Sequence, residues 1–272
     1  MSAATTEQVR PASSTGAAIS IAKVDVTYGI GGAEPVAALS GIELEIPDGA
    51  FVSLVGPSGC GTSTLLKVVA DLMAPTRGSI SIGGSPPRDL RRAGRIGLVF
   101  QQANLMPWLK VSDNARLLQD LVGSRGGARQ SASIDELIRV VGLAGFDAKY
   151  PHQLSGGMQQ RVALARALAL DPAVLLMDEP FAALDEITRD RMAFELMRIW
   201  HHYRKTVLFV THSLSEAVFL SDKVVLMSAR PGRIHRIFDI DLPRPRDRET
   251  RLSDRFHEIV SAVNRELYRV MS

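Results

Sequence analysis

Phe51-Val52-Ser53-Leu54-Val55-Gly56-Pro57-Ser58-Gly59-Cys60-Gly61-Thr62-Ser63-Thr64 is the stretch that decides the fold. A short apolar run ends directly in a glycine-rich loop, and from Ser63 to Asp71 the chain reads as a helix. Strand, glycine-rich loop and helix in that order are the context a phosphate-binding loop requires. Glycines let the backbone curl into a concave nest whose N–H groups point at anion oxygens. The helix start adds its own unsatisfied donors and the positive end of its dipole. Gly56, Pro57, Ser58, Gly59, Cys60, Gly61, Thr62, Ser63 and Thr64 are therefore candidate nucleotide-binding residues, with Ser63 at the hydroxyl position that binds Mg²⁺. One position departs from the pattern G-x-x-x-x-G-K-[ST]: Thr62 stands where lysine is required. Lys67 is a poor substitute, because a helix start presents only its first turn to the phosphates.

Outward from this stretch the chain alternates between two periods. From Ile19 to Ile46 it reads as strands, with Ile42, Leu44 and Ile46 alternating against Gly41, Glu43 and Glu45, and Gly29-Ile30-Gly31-Gly32 marking a turn. Ser79–Ile82 and Ile96–Phe100 are strand-like; residues from about 104 to 170 are helical, one helix opening on a capping-box pattern, Ser133-Ile134-Asp135-Glu136. Strands return at Ala173–Met177, Thr206–Thr211 and Val224–Met227, separated by helices over Thr188–Tyr203 and Ser213–Leu220. Such alternation predicts an α/β fold with a largely parallel sheet and ligand chemistry at the carboxyl ends of its strands.

Val174-Leu175-Leu176-Met177-Asp178-Glu179 is a buried-type strand ending in two acids, the way an NTPase presents carboxylates beside Mg²⁺. Asp178 is placed to accept from a water of the metal shell, and Glu179 to polarise the attacking water. Leu154-Ser155-Gly156-Gly157-Met158 offers a hydroxyl and backbone N–H groups at another helix start, a second anion site.

Leu154-Ser155-Gly156-Gly157-Met158-Gln159-Gln160-Arg161, in its place after the phosphate loop, resembles the LSGGQ-like signature of ABC ATPases. The resemblance runs from Ile19 to about Arg246 and implies that the signature completes the ATP pocket of the opposite subunit. It implies further roles: Gln101 as the glutamine that senses Mg²⁺ and water, Asp185 of Ala183-Leu184-Asp185 as the D-loop aspartate, His212 as the switch histidine at the γ-phosphate. Tyr28 resembles the aromatic residue that stacks on adenine, with a core tyrosine as the alternative. Glu179, His212 and Gln101 are thus the candidate catalytic residues, and Ser63, Gln101 and Asp178 the candidate Mg²⁺ set. The expected fold is a P-loop NTPase core with an N-terminal antiparallel β subdomain and an inserted helical subdomain. Residues 1–18 are expected to be a flexible tail, 19–246 the ATPase domain with the insert at about 104–170, and 247–272 a C-terminal helical extension.

Asn104-Leu105-Met106-Pro107-Trp108 with Val111-Ser112-Asp113-Asn114, and Ser228-Ala229-Arg230-Pro231-Gly232-Arg233, resemble the importers of nitrate, aliphatic sulfonates and taurine. That implies ATP and Mg²⁺ as ligands. The implied partners are a second ATP-binding subunit (a homodimer), transmembrane permease subunits and a periplasmic or extracellular substrate-binding protein. Trp108 is either an exposed aromatic at a partner interface or core of the helical subdomain.

Composition agrees with this setting. Of 272 residues, 46% are hydrophobic and 22% charged, a globular mix. No apolar run reaches the ~18 residues needed to cross a bilayer, and the first residues lack the apolar core of a secretory signal. A peripheral position on the cytoplasmic face of the inner membrane is expected. The single cysteine, Cys60, fits a reducing compartment and reads as a small loop filler. Arginines from Arg230 to Arg255 alternate with acids, which predicts a solvated or interface surface rather than a nucleic-acid footprint. His201-His202 reads as a solvated helix end. The rival reading is a non-catalytic ATP-binding regulatory or structural subunit, inert because of Thr62.

Overall fold

The computed structural model of the chain describes residues 16–29, 34–123 and 133–271. Its strands are β1 (Ile19–Tyr28), β2 (Val36–Ile46), β3 (Phe51–Val55), β4 (Arg77–Ile82), β5 (Ile96–Val99), β6 (Val174–Asp178), β7 (Thr206–Val210), β8 (Lys223–Ser228) and β9 (Arg233–Asp239). Its helices are α1 (Thr62–Val69), α2 (Pro87–Arg92), α3 (Val111–Gly123), α4 (Ile134–Val140), α5 (Gly156–Leu168), α6 (Glu186–Tyr203), α7 (Leu214–Leu220), α8 (Arg248–Leu252) and α9 (Asp254–Met271). Most of the expected N-terminal tail and the centre of the expected Gly29–Gly32 turn lie outside the described residues.

Two sheets form. The antiparallel one runs β2-β1-β4; the larger one runs β5-β6-β7-β3-β8-β9, parallel except for its last strand. In β2 the period of two holds: Ile42, Leu44 and Ile46 are buried and Gly41, Glu43 and Glu45 exposed. The central strands behave differently, since all five residues of both β3 and β7 are buried. Both faces of a parallel sheet are covered, so its strands are apolar throughout. Phe51, Met177 and Phe209 pack on one side with α5, α6 and α7. Val52, Leu54, Leu176 and Leu208 pack on the other, with α1 and the antiparallel sheet. Helices α3, α4 and α5 pack on one another as the inserted helical layer.

Several elements depart from the sequence expectations. β9 was not expected: it is an exposed edge strand whose Arg233, His235 and Arg236 break the apolar pattern, as edge strands commonly do. The helix α2 was likewise missed. Ser133 is the N-cap of α4, but its side chain makes no capping bond; Asp135 and Glu136 in the first turn supply the negative charge that the helix dipole favours.

The reading of the arginine run as surface fails for its central members. Arg246 is only 4% exposed. It donates to the carbonyls of Val218 (3.0 Å), Phe219 (2.9 Å) and Ser221 (2.8 Å), and to Leu242 (3.2 Å). Arg244 donates to Leu220 O at 2.8 Å, pairs with Asp222 and lies over the Trp200 ring, 4.2 Å from its centroid. Apart from Leu242 O, those carbonyls are the ones a helix leaves unsatisfied at its C-terminus, here the end of α7, and a guanidinium fork can reach several at once. Burial pulls the Arg246 guanidinium down to about 10, where it is still charged at neutral pH. Further along, Arg251 pairs with Asp190 and lies over Phe219, while Phe256, Ile259 and Val263 form the buried face of α9. Only the outer pairs, such as Arg255 with Asp241, are solvated as expected.

Among the described residues no helix is long and apolar enough to cross a membrane. Replacing Arg246 by alanine strands several buried carbonyls. Arg246→Ala is therefore expected to lower unfolding free energy by about 3 kcal/mol in urea titrations, with Arg246→Lys restoring only part, because one ammonium cannot span the same acceptors. A loss below about 0.5 kcal/mol would show that water replaces the fork.

Candidate nucleotide site

β3 ends where its two buried faces end, and the chain must turn there. The turn is closed by Cys60 N donating to Pro57 O at 3.0 Å. Gly61 caps α1 with φ 86°, a left-handed conformation that requires glycine, and a Cβ there would also crowd Leu39. Cys60 is buried, as a loop filler should be, and its thiol lies 3.8 Å from Thr62 Oγ1. The loop forms the floor of a cleft of about 480 Å³ that also takes in Tyr28, Ala38, Glu179, His212 and Arg230.

Every candidate residue from Pro57 to Thr64 lines this cleft, and Thr62 is among them. Lys67 is exposed and does not line it. Tyr28 is 42% exposed with its hydroxyl 3.1 Å from Thr64 Oγ1, which rules out the core alternative. Ser63 Oγ donates to Asp178 Oδ1 at 2.8 Å, joining the start of α1 to the end of β6. A hydroxyl and a carboxylate side by side are hard oxygen donors. Mg²⁺ bound to nucleotide needs few protein ligands of that kind, so the pair fits it.

His212 Nε2 lies 2.7 Å from Glu179 Oε1. Glu179 holds φ 47°, the left-handed region that costs a non-glycine residue strain, and its amide donates to Val210 O at 3.0 Å. That turn lifts the carboxylate off β6 toward the cleft. Behind it, Thr211 Oγ1 donates to buried Glu216 at 2.7 Å, and Arg189 pairs with the same carboxylate at 3.4 Å. Burial pushes the Glu216 carboxyl above its usual range, against the opposing pull of Thr211 and Arg189. Arg189 also donates to Leu184 O at 3.1 Å, so the histidine turn and the Asp185 turn share one anchor. Asp185 caps α6 by accepting from Thr188 N at 2.9 Å, and that bond holds its carboxyl below the usual range. Neither Arg189 nor Glu216 carries a sequence signal of this role.

The second anion site stands apart. Leu154 is buried, and Ser155 caps α5, accepting from Met158 N at 3.3 Å. Ser155 and Gly156 are exposed, Gly157 is buried and Met158 half-buried, and none of these five residues lines the cleft. Gln101 is exposed and does not line it either; its carbonyl accepts from Gln160 Nε2 at 2.6 Å. Gln160 thus ties the signature helix to the segment after β5, a role its place beside the signature could have suggested. Trp108 is 69% exposed, which ends the core alternative. Asn114, fully buried, fixes its loop by accepting from Met106 N at 2.8 Å and donating to Leu109 O at 2.9 Å.

The family model described as ABC transporter matches residues 39–182. An uncharacterized ABC transporter ATP-binding protein of Methanocaldococcus jannaschii is 51% identical over 214 residues, 78% of this chain and 79% of that one. An aliphatic sulfonates import ATP-binding protein of Bacillus cereus is 42% identical over 234 residues, 86% of this chain and 90% of its own. Among solved structures, a dimeric post-hydrolysis state of an ATP-binding cassette bound to ADP and Pi matches with TM-score 0.68 and 33% identity, covering 82% of this chain and 98% of that one. The matched segment spans more than half of the sequence, from within β2 to just past the two acids where β6 ends, and on that ground the chain belongs to the ABC transporter ATP-binding family.

Proposed function

We propose that this chain is the ATP-binding subunit of an importer for a small anion of the sulfonate, taurine or nitrate class, working as a dimer that closes on two Mg·ATP. The observation that carries the reading is the separation of the two anion sites. The phosphate-loop cleft has no contribution from the signature, whose Ser155 and Gly156 face outward at the start of α5. A second copy presenting that surface to the cleft completes it, and ATP then favours the closed pair by binding across the joint. The dimeric cassette among its structural relatives and the sulfonate importers among its sequence relatives support this. Trp108, exposed on a loop fixed by Asn114, is the surface we assign to a permease partner on the cytoplasmic face of the membrane. A substrate-binding protein on the other face would deliver the anion.

Within the site, Ser63 and Asp178 would hold Mg²⁺, which would supply positive charge against the phosphates. Glu179 has one carboxylate oxygen engaged by His212 and the other left to orient the attacking water. Tyr28 supports the base from its exposed face. At Thr62 the fixed charge of a lysine is missing, so hydrolysis is slow while the backbone nest still binds nucleotide.

Two experiments test this. Ser155→Arg is expected to block ATP-driven dimerisation, seen by light scattering, and to leave monomer nucleotide affinity nearly intact; collapse of monomer affinity would mean the site serves its own loop. Thr62→Lys, assayed with the permease present, is expected to raise turnover by on the order of 10²–10³. Equal turnover in the two proteins would mean that the hydrolytic charge comes from elsewhere.

A further inference from the structure

A triphosphate brings several negative charges into a cleft whose own lining includes the carboxylate of Glu179. The family's usual counter-charge is absent at Thr62, and Lys67 is exposed outside the lining. Among the described residues that line the cleft, one carries a fixed positive charge: Arg230. We propose that Arg230, reaching in from the β8–β9 turn, is a phosphate-binding residue that supplies in part the charge Thr62 lacks. This rests on the nucleotide-binding reading above.

Three features of the fold support it. β8 lies directly beside β3, so the turn leaving β8 emerges next to the phosphate loop leaving β3. That turn is clamped there: Gly232 N donates to Ala38 O at 2.9 Å, and Ser40 N donates to Gly232 O at 3.0 Å. A Cβ on Gly232 would meet Cys60 O at 2.1 Å, so the turn rests against the loop backbone with no room for a side chain. Arg230 is thereby fixed within two residues of the loop's rim. Its own backbone has φ 59°, a strained left-handed conformation for a residue with a side chain. Its side chain makes no hydrogen bond or ion pair among the described residues, in contrast to Arg244, Arg246, Arg251 and Arg255 of the same run. Planar guanidinium donors match phosphate oxygens two at a time, a geometry suited to holding the anion. Approaching from the rim, Arg230 acts on ground-state affinity, and the charge at the loop centre that favours the transition state is still lacking.

Equilibrium binding of ATP, ADP and AMP to the intact monomeric chain tests this, using Arg230→Gln, Arg230→Lys and the same changes on a Thr62→Lys background. Arg230 is exposed, so the fold tolerates these changes. Arg230→Gln is expected to weaken ATP binding by about tenfold, to weaken ADP less and to leave AMP unchanged, with Arg230→Lys recovering most of the loss. With lysine at position 62 the penalty of Arg230→Gln should shrink to about threefold or less, since two charges compete for one role. An unchanged ATP affinity, an equal loss for AMP, or an equal penalty on both backgrounds would overturn the proposal while leaving the nucleotide site standing. A wild-type chain that binds no nucleotide would overturn both readings.

Discussion

Burial of β3 on both faces is the constraint from which the rest of the molecule follows. Phe51 and Val55 face one apolar layer and Val52 and Leu54 the other, so nowhere along the strand can a polar side chain meet water. Chemistry is displaced to the carboxyl end, where the chain leaves the sheet. β7 runs parallel beside it and β6 beside β7, and they release Asp178, Glu179, Thr211 and His212 at the same edge. Parallel alignment is thus what brings a loop, two acids and a histidine together from positions more than a hundred residues apart.

The loops at that edge are held by groups behind them rather than by their own hydrogen bonds alone. Glu216, buried and bonded by Thr211, takes the charge of Arg189, which also holds the turn before Asp185. On the helical side, Gln160 and Arg166 of α5 bind the carbonyls of residues 100, 101, 103 and 104. The signature helix is thereby tied to the segment that leads to Trp108. The C-terminal segment is fixed in the same manner, by Arg244 and Arg246 serving the carbonyls at the end of α7.

Much of this was legible in the order of residues. The phosphate loop between β3 and α1, the two acids at the end of β6 and the signature at the start of α5 are local patterns, and the elements beside them can be read from periodicity. The alternation in β2 and the continuous apolar runs of β6 and β7 likewise fix their layers. The failures have physical causes. β9 is an edge strand with one face in water, so its charges hide its pairing with β8. Arg246 reads as surface because arginine usually is, and only the end of α7 folded beside it makes a buried guanidinium favourable. Ser133 has the spacing of a cap without the bond, since spacing does not set a side-chain rotamer.

Local order along the chain was enough for the family, the fold class and the residue types at the strand ends: a glycine-rich loop, a hydroxyl, two acids, a histidine and a threonine where the motif has lysine. These follow from short-range order, where a residue's neighbours along the chain are also its neighbours in space. The fold was needed to settle that Trp108 and Tyr28 face solvent rather than the core, and that Glu216 and Arg189 brace the histidine turn. It also decided that within one basic run Arg230 lines the phosphate-loop cleft while Arg246 is buried against the end of α7. Those outcomes depend on which strand lies beside which, and strand order in a parallel sheet is set by long-range burial that no local window contains.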